Sequence, residues 1–166
     1  MTCFIIAAVT ADGYIGKNAT HAAMWTGKAD KRRFIALTKQ ARVVVMGLNT
    51  WQTLGGKPLK DRHHVIYSPT PIDNLPPEAE VTTKSPRDLL ADFASRGFSE
   101  VAICGGSMIY TMFMQSGLVD KLYLTIEPIL FGDGMRLFKG DLDCKLELVN
   151  SAVEEGALLL EYTVKK

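Results

Sequence analysis

The chain has 166 residues, 47% of them apolar and 22% charged, the balance of one compact folded domain rather than of a disordered or fibrous chain. With 19 basic and 18 acidic side chains the formal net charge is +1, so electrostatics give no case for a nucleic-acid partner or an anionic membrane surface. Cys3, Cys104 and Cys144 are odd in number and lack any CxxC spacing, which argues against a disulfide framework and a thiolate zinc site and fits a reducing compartment.

The first element predicted is a strand over Cys3 to Val9. It begins without a basic leader or a small-residue cleavage pattern, so a secretory signal is not expected. No apolar run nears the ~18 residues of a membrane span. Together these features predict a cytoplasmic protein with no membrane partner. The spacing next predicts a helix over 28–41, a strand at Val43 to Met46 and a short helix opening at Leu48-Asn49-Thr50-Trp51. A further strand follows at His64 to Tyr67. Ser68 to Pro77 holds four prolines, which fit neither a helix interior nor a central strand and mark a surface connection. Ser85-Pro86 has the form of a cap followed by a first-turn proline, opening a helix over 86–96. Val101 to Cys104 is again a strand, and a helix over 107–116 ends near Gly117.

These strands are almost continuously apolar, as expected when helices cover both faces of a parallel sheet. The β-α-β-α alternation predicts an α/β fold. The last third changes character. Lys121 to Pro128 is a strand, and Leu146 to Ala152 and Ala157 to Val164 flank the hairpin signal Glu154-Glu155-Gly156. A mostly parallel sheet finished by antiparallel strands is expected.

Asp30 is the most informative charge. With Asp30 at zero on a helical wheel, Phe34 falls near about +40°, Leu37 near about −20° and Ala41 near about +20°. The carboxylate therefore sits within the apolar stripe, where it is costly without a partner. Three readings stand: a first-turn acid favoured by the helix N-terminus, a partner for Arg33, or a carboxylate in an apolar cleft that bonds an amidine-like heterocycle.

Two strand-to-helix turns, Met46-Gly47-Leu48 and Cys104-Gly105-Gly106-Ser107, bring glycine to a helix N-terminus, where free N–H groups suit phosphate. Each turn alone is ordinary turn chemistry. There is no GxGxxG and no phosphate loop of the GxxxxGK type, yet two such turns suit a dinucleotide laid across strand ends. His21, His63 and His64 lack ligand spacing and read as surface or capping residues. Cys104 reads as a small buried hydrophobe that the neighbouring helix N-terminus could make reactive. Met108, Met112 and Met114 read as core packing. Ile129-Leu130-Phe131 and Leu158-Leu159-Leu160 are either core or a dimer face, so monomer and homodimer are both open.

Taken together, the blocks resemble the dihydrofolate reductase family. Ile6-Ala7-Ala8 followed by Asp12-Gly13-Tyr14-Ile15-Gly16 resembles its first strand and loop, and Trp25, Asp30 and Phe34 its substrate helix. Val45-Met46-Gly47-Leu48-Asn49-Thr50-Trp51, running to Pro58-Leu59-Lys60-Asp61-Arg62, is similar to its MGRxTW…PLxxR block. Gly105-Gly106 through Tyr110 resembles its late cofactor turn, and Lys121 to Thr125 the strand on which it carries a threonine. Trp25 to Asp30 and Gly117 to Gly134 also resemble the reductase domain of riboflavin biosynthesis. Arg62 tips the balance to folate, because the folate reductases use that arginine to grip a carboxylate.

The resemblance implies one dihydrofolate-reductase-like domain over 1–166, with a mostly parallel sheet of about eight strands, a C-terminal antiparallel hairpin and helices on both faces. It implies reduction of 7,8-dihydrofolate by hydride from NADPH, with a small-molecule folate as substrate. Asp30, Trp25 and Thr125 would be catalytic. Ile6, Ala7, Phe34, Leu54, Arg62 and Tyr110 would join Asp30 and Thr125 in binding substrate, with Arg62 at the mouth. Ala8, Ile15, Gly16, Gly47, Leu48, Asn49, Thr50, Ser68, Cys104, Gly105, Gly106, Ser107, Met108, Ile109 and Tyr110 would contact the cofactor. The 17–24 segment would be a lid, and no metal is implied. Leu48 and Met108 stand where the family carries basic residues that read a 2′-phosphate, which leaves NADH as an alternative cofactor. The alternative function is reduction of a ribosyl-aminopyrimidine phosphate; a non-catalytic nucleotide-binding protein is the third.

Overall fold

The computed structural model describes residues 1–165. Its main sheet has eight strands: β1 (Thr2–Thr10), β3 (Val43–Gly47), β4 (His63–Tyr67), β5 (Ala79–Thr82), β6 (Glu100–Ile103), β7 (Lys121–Glu127), β9 (Leu146–Glu154) and β10 (Ala157–Val164). They lie in the order β5-β4-β3-β6-β1-β7-β10-β9. All pairs from β5 to β7 are parallel, and β10 is antiparallel to both β7 and β9. A small antiparallel ribbon, β2 (Tyr14–Gly16) with β8 (Met135–Arg136), stands apart from it.

Alternation along each strand divides the core into two layers. Ile5, Val43, Val45, Val101 and Ile103 pack with Leu89 and Phe93 of α3 (Pro86–Ser95) and Phe113 of α4 (Ser107–Gln115). Phe4, Ile6, Val44, Met46 and Ala102 face the other way, onto Phe34, Leu37 and Ala41 of α1 (Lys28–Ala41) and Trp51 of α2 (Leu48–Thr53). Burial on both faces is why the strands read as unbroken apolar runs. The expected α/β architecture, with its C-terminal antiparallel hairpin, is the one present.

Local chemistry explains the element ends. The Ser85 side chain accepts from the Asp88 N–H, with Pro86 in the first turn of α3, as the sequence predicts. Glu155 and Gly156 both have positive φ, 51° and 84°, the geometry of a two-residue hairpin turn between β9 and β10. α1 is different. Its N-cap is Gly27, with no side-chain cap; instead the Gly27 N–H donates to Glu127 Oε1 at the end of β7, 2.8 Å away. A carboxylate at the helix N-terminus is favourable, so the strand end caps the helix.

Several expectations need correction. β5 was not expected: it is a four-residue edge strand just after the proline-rich connection, too short to show a run. His64 is fully buried, not a surface residue. Its Nε2 accepts from Leu59 N–H and its Nδ1 meets Arg62 O, both at 3.0 Å, so the side chain is bonded at both nitrogens. Met108 is 71% exposed and packs in no core. Of the late apolar runs, Leu159 and Leu160 are buried while Leu130 is exposed.

Candidate active site

The C-terminal ends of β1 and β6, the start of α1 and the loop after β2 enclose a cleft. In a parallel sheet this is the end where loops and helix N-termini converge. Ile6, Ala7 and Ala8 come from β1, Asp30 and Phe34 from α1, Thr50 and Thr53 from α2, and Tyr110 from α4. Trp25, Ile15, Gly16 and the Cys104-Gly105-Gly106 turn complete the wall with Asn18, Ala19, His21, Ala23 and Met135.

Asp30 is 9% exposed, as the helical wheel predicts. The proposed pairing with Arg33 is not made. Arg33 turns instead to the carbonyls of Leu124 and Leu160, at 3.1 and 2.6 Å, and lies over the Tyr123 ring. Burial holds that guanidinium below its ordinary pKa. Among the described residues no donor bonds the Asp30 carboxylate. Trp25 Nε1 is likewise buried without a partner among them. A buried donor with an unmet hydrogen bond is costly in isolation, and a polar ligand could bond both it and the Asp30 carboxylate on the same cleft.

The glycine turn is built for close approach. Gly47 N–H donates to Gly105 O and Cys104 N–H to Val45 O, both 2.8 Å, and the Gly105–Gly106 peptide is cis. Gly105 has φ 118°, and a Cβ there would stand 3.2 Å from the Tyr110 hydroxyl. That hydroxyl donates to Ile6 O at 2.9 Å, and burial pushes its pKa well up. Burial also pushes the Cys104 thiol up, so the helix N-terminus does not make Cys104 a reactive thiolate.

Other expected residues lie outside the lining. Thr125 is buried in β7 opposite Ala8, and Leu54 packs on the α1–α2 layer. Arg62 is only 8% exposed, its Nε donating to Lys60 O and one terminal nitrogen to Thr38 Oγ1, both at 2.9 Å. Burial lowers its pKa from the ordinary arginine value. Ser68 is occupied in its own turn, bonding Thr70. Gly47, Leu48, Asn49, Ser107, Met108 and Ile109 flank the glycine turn without lining the cleft.

Asn18, Ala19, His21, Ala23, Thr53 and Met135 were missed as individual lining residues. Met135 arrives on the ribbon that β8 forms with β2, a pairing with no local sequence signal. Gly134 is its one trace: at φ 156° a Cβ there would overlap Gly16 O. Among the described residues there is no cluster of three or more metal-ligating side chains, and no helix is long and apolar enough to cross a membrane.

The chemistry of this turn suits the phosphate of a nucleotide. Ser107 Oγ, at the first residue of α4, is buried and without a partner among the described residues, and Gly106 leaves room beside Thr50 Oγ1. A phosphate there would meet helix N–H groups and a free hydroxyl.

A family model for dihydrofolate reductase matches residues 2–135. The chain belongs to the dihydrofolate reductase family. A bifunctional dihydrofolate reductase-thymidylate synthase of Acanthamoeba polyphaga mimivirus is 30% identical over 135 residues, spanning 73% of this chain and 23% of that protein. A 2,5-diamino-6-ribosylamino-4(3H)-pyrimidinone 5′-phosphate reductase of Methanothermobacter thermautotrophicus is 25% identical over 210 residues, 96% of each. Among solved structures, a putative riboflavin biosynthesis protein from Shewanella sp. PV-4 superposes with TM-score 0.83 at 22% identity, covering 100% of both chains. The Enterococcus faecalis dihydrofolate reductase does so with TM-score 0.79 at 24% identity, covering 99% and 97%. These two likenesses establish the fold. Family and fold together point to an oxidoreductase that uses a nicotinamide cofactor.

Proposed function

We propose that the protein reduces 7,8-dihydrofolate to tetrahydrofolate with NADPH. The observation that carries this reading is Asp30: a carboxylate 9% exposed, on the cleft, with no donor among the described residues. An amidine-like edge, with a ring N–H beside an amino group, offers two donors in the geometry a carboxylate accepts. Arg62 adds a second point. It is anchored to Thr38, two helical turns beyond Asp30 on the same helix, a separation of about 12 Å at 1.5 Å per residue. A pterin held at Asp30 and a carboxylate tail directed toward Arg62 suit that span.

A bound reduced nicotinamide supplies the hydride. The chain's residues orient and shield the acceptor. Asp30 fixes the pterin edge and favours protonation at N5, while C6 takes the hydride and water provides the N5 proton. Trp25 Nε1–H is a donor for the ring carbonyl or for an ordered water. Phe34 and Ile6 supply the apolar wall, which strengthens the Asp30 hydrogen bonds by excluding water. The 17–24 loop covers the mouth. We further infer a homodimer or monomer with no nucleic-acid or membrane partner.

The second reading, reduction of a ribosyl-aminopyrimidine phosphate, is supported by the archaeal relative that spans 96% of this chain. The two separate in one experiment, in which NADPH consumption is followed with either substrate. Faster turnover of dihydrofolate is expected. Turnover of the pyrimidine phosphate alone would overturn the folate reading.

A further inference from the structure

The cleft holds one titratable side chain that the account above leaves without work. Cys104 and Tyr110 are kept protonated by burial, and Asp30 has its role. His21 remains, on the lid, lining the cleft.

Its placement is built by the local sequence. Asn18 Oδ1 accepts from both the N–H and the hydroxyl of Thr20, at 3.1 and 3.0 Å, and Asn18 O accepts from His21 N–H at 3.2 Å. This Asn-initiated turn folds the imidazole back, so that Nδ1 accepts from Lys17 N–H at 3.0 Å. The ring also packs on Phe131, centroids 5.5 Å apart. Phe131 packs edge-on against Trp25 at 5.2 Å, and its N–H is held by the Asp12 carboxylate. The lid histidine and the cleft tryptophan therefore share one anchored aromatic post.

An imidazole that accepts at Nδ1 carries its proton on Nε2. Among the described residues Nε2 has no hydrogen-bond partner. It is a fixed donor on a ligand cleft. The side chain stands against Gly16, where a Cβ would lie 3.6 Å from His21 Cβ. Gly16 belongs to the stretch expected to meet the cofactor.

We propose that His21 is a positioning residue for the nicotinamide nucleotide, its Nε2–H donating to an oxygen of the bound cofactor on the Gly16 side. This rests on the reading that the cleft takes a reduced nicotinamide. A merely structural role would run through Nδ1 and the Lys17 bond; the proposed role runs through Nε2. Side-chain amides separate the two, because asparagine reproduces the acceptor near Nδ1 and glutamine places an N–H near Nε2.

The test is the dissociation constant for NADPH, measured by quenching of tryptophan fluorescence on the full chain, for wild type, His21→Phe, His21→Asn and His21→Gln. Expected are about tenfold weaker binding in His21→Phe and His21→Asn, and His21→Gln within about threefold of wild type. The proposal is overturned if His21→Asn restores binding while His21→Gln does not, or if all variants bind NADPH like wild type. Failure of the wild-type chain to bind any reduced nicotinamide would instead overturn the underlying reading.

Discussion

Asp30 combines the two facts that make a side chain functional: it is 9% exposed, and no donor among the described residues bonds it. Asparagine at this position keeps the shape and loses both the charge and one acceptor, so the amide cannot bond two donors of a heterocycle edge. Asp30→Asn should lower kcat/KM for dihydrofolate by at least about 100-fold, with the circular dichroism spectrum unchanged. Activity within a few-fold of wild type would remove Asp30 from the mechanism. The position of Asp30 was legible in the sequence, because a 100° wheel alone sets it among Phe34, Leu37 and Ala41. The fate of Arg33 was not. Whether a neighbouring guanidinium takes a helix carboxylate or a sheet carbonyl depends on where β7 and β10 pass, and no local pattern encodes that.

Elements tie the site together through backbone groups. His64 on β4 is the clearest case, accepting from Leu59 N–H and meeting Arg62 O, so the strand holds the loop that carries Arg62. Burial lowers its pKa below the ordinary value of 6.5. Well above pH 6.5 neither folded nor unfolded chain binds this proton, and the contribution to stability is complete. As pH falls below that value the unfolded chain takes up the proton first, so stability declines until the lower folded value is passed. Urea midpoints should therefore drop as pH falls from about 7 through 6.5, and His64→Gln should flatten that slope. An unchanged slope in the variant would contradict the assignment. A histidine buried by two backbone partners leaves no periodic trace, which is why it read as a surface residue. The same limit hid β5 and the β2–β8 ribbon, whose strands have four, three and two residues. Longer elements such as α1 and α3 were plain, α1 from its apolar spacing and α3 from its serine cap and first-turn proline.

At the scale of the whole molecule, cofactor choice depends on what surrounds the glycine turns. Leu48 packs on the α1–α2 layer and Met108 is exposed, so neither brings a cation to a 2′-phosphate. One charge-assisted hydrogen bond is worth about 1.5–3 kcal/mol, which is about ten- to a hundredfold in preference. The native chain should therefore favour NADPH over NADH by less than about tenfold in kcat/KM, and Leu48→Arg should raise that ratio by about tenfold or more. A strong native preference for NADPH would mean that another side chain reads the phosphate.

The central claim is that one cleft brings a nicotinamide hydride and a dihydropterin together beside Asp30. Incubation of the purified chain with dihydrofolate and NADPH deuterated at the transferring C4 position tests it most directly. The account predicts tetrahydrofolate carrying deuterium at C6, formed more slowly than with the protiated cofactor. Oxidation of the cofactor with no label at C6, or no reaction at all, would contradict it.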